Sequence, residues 1–156
     1  MLSGAHTKEA GENSDILLFD EEPMILDLLT VVLQREGYRV TSTRSWEEAL
    51  HLVTTRSYDL AIADLALRTR DGCRLVTTLR HASPETPIVG MTAYPAKETV
   101  MFAEEHMEAF LVKPFSIGDL LKVVRRAVDG RVPGHTGGMA SLVPRQQSAA
   151  MLAAGG

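Results

Sequence analysis

The sequence predicts an α/β protein built on a parallel sheet with helices on both faces. Two observations carry this. Short apolar runs alternate five times with segments of helical periodicity, which implies right-handed crossovers between parallel strands. Four of the runs also end on a polar or charged residue. Tyr58 to Asp64 ends on a carboxylate, Ile16 to Phe19 leads into Asp20-Glu21-Glu22, Pro87 to Met91 into Thr92, and Ala109 to Val112 into Lys113-Pro114. In an open parallel sheet such tips meet at one edge, where ligands bind. Acids, a hydroxyl and an ammonium are therefore expected at one site.

The elements follow in order. The first strand ends at Phe19. Pro23, favoured in a first helical turn, opens a helix that Gly37 closes. Ile25, Leu28, Leu29, Val32 and Leu33 recur at three- and four-residue spacing and are its expected apolar face. Residues 38–43 alternate like a short edge strand. Ser45 and Glu48 have capping-box spacing for a second helix reaching about Arg56. The run ending at Asp64 reads as a buried central strand. A loop to Gly72 precedes a third helix reaching about His81. Pro84 and Pro87 bound the next loop, and residues 95–105 form the fourth helix. Ser116 and Asp119 cap a fifth, with Leu120, Leu121, Val123, Val124 and Ala127 apolar.

The 156 residues suit one domain, and 45% hydrophobic content is enough for a core. The division expected is a loose arm over 1–14, a domain over 15–129 and a disordered Gly/Ala-rich tail over 130–156. A net charge of −4 gives no reason to expect nucleic-acid binding through bulk electrostatics. The tail is too short for a helix-turn-helix module. The one cysteine, Cys73, excludes an internal disulfide, fits a reducing cytoplasmic compartment and is expected to be a half-buried structural thiol. No apolar stretch approaches a membrane span, and no signal core is visible. The five histidines show no metal-ligand spacing.

The residues at the tips have a specific chemistry. A carboxylate can attack phosphorus and form an acyl phosphate. Acids crowded around it would repel a phosphoryl group, and Mg²⁺, with its preference for oxygen ligands, resolves that conflict. An acid ending a buried strand is costly unless paired or metal-bound. The same crowding predicts that removing one acid, Asp20 for example, raises stability in the absence of metal.

Asp20-Glu21, Asp64, Asp71-Gly72, Thr92-Ala93 and Lys113-Pro114-Phe115, in that order and each at a strand end, resemble the receiver domain of bacterial two-component response regulators. The resemblance spans about residues 15–128. It implies a flavodoxin-like, doubly wound sheet of order 2-1-3-4-5. It implies Asp64 as phosphoacceptor and Asp20, Glu21, Asp64 and the backbone carbonyl of Ala66 as Mg²⁺ ligands. Lys113 and Thr92 would contact phosphoryl oxygens. Thr92 and Phe110 would form the switch, with Phe110 turning inward as Thr92 moves. Tyr94 and Ala93, beside the site, would modulate it. The Lys113-Pro114 bond would be cis. The implied partners are a histidine kinase or histidine phosphotransfer domain and a protein target. A homodimer through helix 4, strand 5 and helix 5 is left open.

Some positions depart from the family pattern. Arg68 stands where proline is common and joins Arg70 and Arg74 in a basic cluster. Glu21 replaces a frequent aspartate, and His106 a helix-ending glycine that would tolerate positive φ. Rival readings are a metal-dependent aspartyl phosphohydrolase, a flavin module and a constitutive docking domain. The first lacks a second acid at Ala66, and the second has Asp-Glu-Glu-Pro where a phosphate loop is needed.

Overall fold

A computed structural model describes residues 13–65 and 71–130. The expectations for the arm over residues 1–12, for Ala66, Arg68 and Arg70, and for the tail beyond Gly130 lie outside the described residues. Within them the elements are β1 (Asp15–Phe19), α1 (Pro23–Arg35), β2 (Arg39–Thr43), α2 (Trp46–Thr55) and β3 (Leu60–Asp64). Then follow α3 (Asp71–Ala82), β4 (Ile88–Thr92), α4 (Lys97–His106), β5 (Ala109–Val112) and α5 (Ile117–Val128). The five strands pair in parallel in the order β2-β1-β3-β4-β5. No helix among the described residues is long and apolar enough to cross a membrane.

Successive strand residues face opposite sides of a sheet, and the two cores follow that alternation. Ile16, Leu18, Leu60, Ile62, Val89, Met91 and Leu111 pack against α1 and α5. Leu17, Phe19, Ala61, Ala63, Ile88, Phe110 and Val112 pack against α2, α3 and α4. Strands buried on both faces become continuous apolar runs, which is why β3 and β4 are buried at every position. Gly90 lies where Met107 and Leu65 crowd the backbone, leaving no room for a Cβ.

The helix ends follow local chemistry, with corrections. Gly37 follows α1 at φ +92°, a left-handed conformation that glycine adopts freely. The buried stripe of α1 is Leu26, Leu29 and Leu33. Leu28, expected inside, is exposed on one face with Met24 and Val31. At α2 half of the capping box forms: Ser45 Oγ accepts from the Glu48 N–H at 3.2 Å. The reciprocal half passes through Thr43, whose Oγ1 accepts from the Ser45 N–H and donates to Glu48 Oε2. Ser116 Oγ caps α5 through the Asp119 N–H as expected. His106 closes α4 without positive φ; among the described residues other than glycine, Asn13 alone has it.

Candidate functional site at the strand tips

The register brings the chemistry together. Phe19 pairs with Ala63, so Asp20 and Asp64 follow side by side at the tips of β1 and β3. This is where the chain reverses its winding across the sheet, the crevice in which α/β proteins hold ligands. Thr92 ends β4, and Lys113 follows β5 with its N–H bonded to the Thr92 carbonyl at 2.8 Å. The Lys113-Pro114 bond is cis, as the resemblance implies.

Asp20 is fully buried and doubly held. Its Oδ1 accepts from the Glu22 N–H at 2.9 Å, and its Oδ2 receives Lys113 Nζ at 2.7 Å. The same ammonium lies 3.7 Å from Asp64 Oδ1, beyond a good hydrogen bond. Lys113 therefore serves two carboxylates but is seated on one. Asp64 carries the consequence. Burial pushes its carboxyl up to about 6; the nearby Lys113 pulls down, while Asp20 and Glu21 push up.

These partners argue against the expectation that removing Asp20 stabilises the metal-free protein. Asp20 is the paired acid, and its removal would strand a largely buried ammonium and the Glu22 N–H. Crowding is felt at Asp64.

Glu21 is exposed beside Asp20. As placed, no group of three His, Cys, Asp or Glu side chains among the described residues is close enough to hold a metal ion. The donor chemistry nevertheless suits a hard divalent cation. Three carboxylates against one ammonium leave two negative charges when Asp64 is ionised. The ligands would be carboxylate oxygens of Asp20, Glu21 and Asp64.

Thr92 is buried, and its hydroxyl closes a small turn. It accepts from the Tyr94 N–H at 3.1 Å and faces the Tyr94 carbonyl at 3.3 Å. Ala93 and Tyr94 are exposed beside it. Phe110 is already inside, 1% exposed in the core shared with Phe19, Ala63 and Leu65. Arg74 is exposed and stacks over the Trp46 ring at 5.9 Å.

Sequence reasoning missed a partly buried network at the opposite ends of the strands, before β4 and β5. Arg80 Nη2 binds both Glu108 carboxylate oxygens at 2.6 Å, and its other nitrogens reach the carbonyls of His106, Pro84 and Thr86. A lone arginine late in a helix and a glutamate between helix and strand give no periodic signal.

A doubly wound sheet thus gathers two acids, a hydroxyl and an ammonium near its switch point. The response regulator receiver domain model matches residues 16–125, and the chain belongs to that family. It is 33% identical over 118 residues to the response regulator protein PilR of Pseudomonas aeruginosa, covering 75% of this chain and 26% of PilR. It is 29% identical over 119 residues to the transcriptional regulatory protein GlrR of Escherichia coli, covering 76% of this chain and 27% of GlrR. The chain thus spans about a quarter of these relatives. Among solved structures, a CheY-like receiver domain from Methanospirillum hungatei superposes with a TM-score of 0.73 at 26% identity, covering 77% of this chain and 97% of that one. The response regulator TrrA of Thermotoga maritima, solved with Mg²⁺-BeF, gives 0.66 at 29% identity, covering 73% and 98%.

Proposed function

We propose that this domain accepts a phosphoryl group on Asp64 from a histidine kinase or histidine phosphotransfer domain and signals to a protein target by a change of shape. The observation that carries the reading is Lys113, brought from the far side of the sheet to bridge Asp20 and Asp64. An Asp64 oxygen attacks the phosphorus of phosphohistidine. An O–P bond forms as the N–P bond breaks, and the departing imidazole nitrogen keeps the electron pair and takes up a proton. Water later cleaves the acyl phosphate, returning the carboxylate and inorganic phosphate.

The residues divide the work. Asp64 attacks as the carboxylate. Asp20 holds Lys113 beside the reacting acid, where the ammonium meets a phosphoryl oxygen. The Thr92 hydroxyl donates to another oxygen once it leaves Tyr94. A bound Mg²⁺, held by Asp20, Glu21, Asp64 and the Ala66 carbonyl, would neutralise charge that builds on the transferring group. The Mg²⁺-BeF complex of TrrA supports this choice of cation. Tyr94 and Ala93 flank the entrance and limit the approach of water. The transcriptional role in relatives' names belongs to proteins about three times as long.

Intact-mass analysis with a small-molecule phosphodonor and Mg²⁺ tests the reading. One phosphoryl group should be added, and none in Asp64→Asn or with a chelator. Equal labelling of Asp64→Asn would remove Asp64 from the role.

A further inference from the structure

The geometry points to the outer face of α1 as a docking site for this chain's own residues 142–145, which fold back to cover an apolar row beside the strand tips. The docking stands on α1 itself; its consequence for phosphoryl transfer rests on the phosphoacceptor reading.

The row is out of place on a solvated helix face. α1 already buries Leu26, Leu29 and Leu33 against the sheet, so its opposite side should be polar. Instead Met24, Leu28 and Val31 lie there 79%, 53% and 46% exposed. Their four- and three-residue spacing makes them neighbours in one row. The other large hydrophobics exposed among the described residues occur singly: Tyr94 ahead of α4, Met101 on α4 and Ile117 on α5. Single exposed apolar side chains are ordinary, whereas a contiguous row marks a contact surface. This row runs among acids. Asp27 is exposed between its members, and Glu21 and Glu22 are exposed just ahead of α1.

The size of the row favours a tethered occupant. Three side chains fall well short of the roughly 800 Å² that each side of a stable complex buries, which argues against a second copy of the chain. A linked segment faces a lower threshold, because a short linker holds it at about millimolar effective concentration. Residues 131–156 start in the right place for this. Arg125, in the last turn of α5, pairs with Glu36 at the end of α1 at 3.4 Å. Val31 is about 8 Å farther along that helix. Leu142 follows Gly130 by twelve positions, a reach of about 40 Å when extended.

Charge and residue order select the segment. Residues 131–156 contain Arg131 and Arg145 and no acid. Leu142 and Val143 come first, and Pro144 and Arg145 follow. From the end of α1 toward its start, Val31 and Leu28 come first, and Asp27, Met24 and Glu22 follow. A chain arriving from the Glu36 end therefore lays Leu142 and Val143 on Val31 and Leu28 and brings Arg145 to Asp27 and Glu22, where opposite charges attract. The N-terminal residues enter at the same corner, where the Asn13 N–H donates to the Gly37 carbonyl. They carry Glu9 and Glu12 against one lysine, Lys8, and suit an acidic face less well. A segment seated on α1 lies beside the turn that holds Asp20. A protein donor approaching Asp64 over this turn must displace it, and a small phosphodonor need not.

A soluble paramagnetic relaxation agent, added to the full chain with labelled methionine methyls, tests the docking. The Met24 methyl should be relaxed about half as strongly in wild type as in Leu142→Asp/Val143→Asp. The Met101 methyl should respond equally in both. Leu28→Asp, at an exposed position that leaves the core intact, should free Met24 in the same way, and Arg145→Glu should free it in part. The protection should be unchanged on dilution. Equal relaxation of Met24 in wild type and the double variant overturns the docking. Protection that grows with protein concentration also overturns it, by assigning the row to a second copy. With Mg²⁺ and a small phosphodonor, wild type and the double variant should label alike. If neither takes up a phosphoryl group, the proposed function fails, while the Met24 relaxation still decides the docking.

Discussion

Lys113 gives its close hydrogen bond to Asp20, 93 positions earlier in the chain, at 2.7 Å. The carboxylate proposed to react, Asp64, stands a full ångström farther from the same ammonium. The site thus separates an acid that is satisfied from one that is not, and several outcomes depend on that difference.

Asp64 should oppose folding once it is charged. Its folded carboxyl is raised from 3.8 to about 6, so its contribution is fully favourable below 3.8 and is lost as pH rises through about 6. Asp64→Asn cannot ionise. It should be more stable than wild type at pH 8 by on the order of 1–2 kcal/mol, the full shift being reduced by solvent screening. That advantage should vanish near pH 4. Denaturant melts at the two pH values measure it, and an Asn variant no more stable at pH 8 would refute the crowding at Asp64.

Asp20 should behave in the opposite way. Asp20→Ala should cost about 2–4 kcal/mol at neutral pH without metal, because Lys113 and the Glu22 N–H lose their partner inside the protein. Asp20→Asn keeps an acceptor for the N–H and should cost less. Thermal melts of both give the order; an Ala variant as stable as wild type would show that the pairing contributes nothing.

Removing the ammonium should push Asp64 higher still. Lys113 lowers that carboxyl, so in Lys113→Met it should titrate above its wild-type value of about 6. The carboxyl ¹³C shift of Asp64 followed against pH reads this directly. A midpoint at or below that of wild type contradicts the bridging role.

Thr92→Ala should separate chemistry from signal. Asp64 should still be labelled by a phosphodonor, while the phosphorylation-dependent NMR shifts at Phe110 are lost. Without the hydroxyl the Tyr94 N–H also loses an acceptor, costing about 1 kcal/mol in the unphosphorylated protein. Undiminished shifts at Phe110 would mean the hydroxyl is not the link.

Arg80→Met should be the most damaging of these changes away from the strand tips. It leaves the Glu108 carboxylate largely buried without its cation, a loss of about 3–5 kcal/mol. Glu108→Gln, which removes the charge that needs pairing, should be milder. Equal losses from both would mean that packing of the arginine stem, not charge, accounts for the effect.

The sequence by itself determined the alternation of elements, because burial on both faces forces apolar runs in β3 and β4, and caps such as Ser116 act within a few residues. The gathering of Asp20, Asp64, Thr92 and Lys113 was legible for the same reason: parallel strands with right-handed crossovers bring their tips to one edge. Only tertiary structure decided what depends on distances between remote segments. It seated Lys113 on Asp20 at 2.7 Å rather than on Asp64 at 3.7 Å, a difference between remote strand tips that no spacing encodes. It rotated α1 so that Leu26 went inside and Leu28 outside, because an apolar residue beside a stripe is assigned by the surface it meets. It closed the Arg80–Glu108 network and left the Thr99 hydroxyl without a partner among the described residues, since a side chain's hydrogen bonds depend on which carbonyls the fold brings within reach.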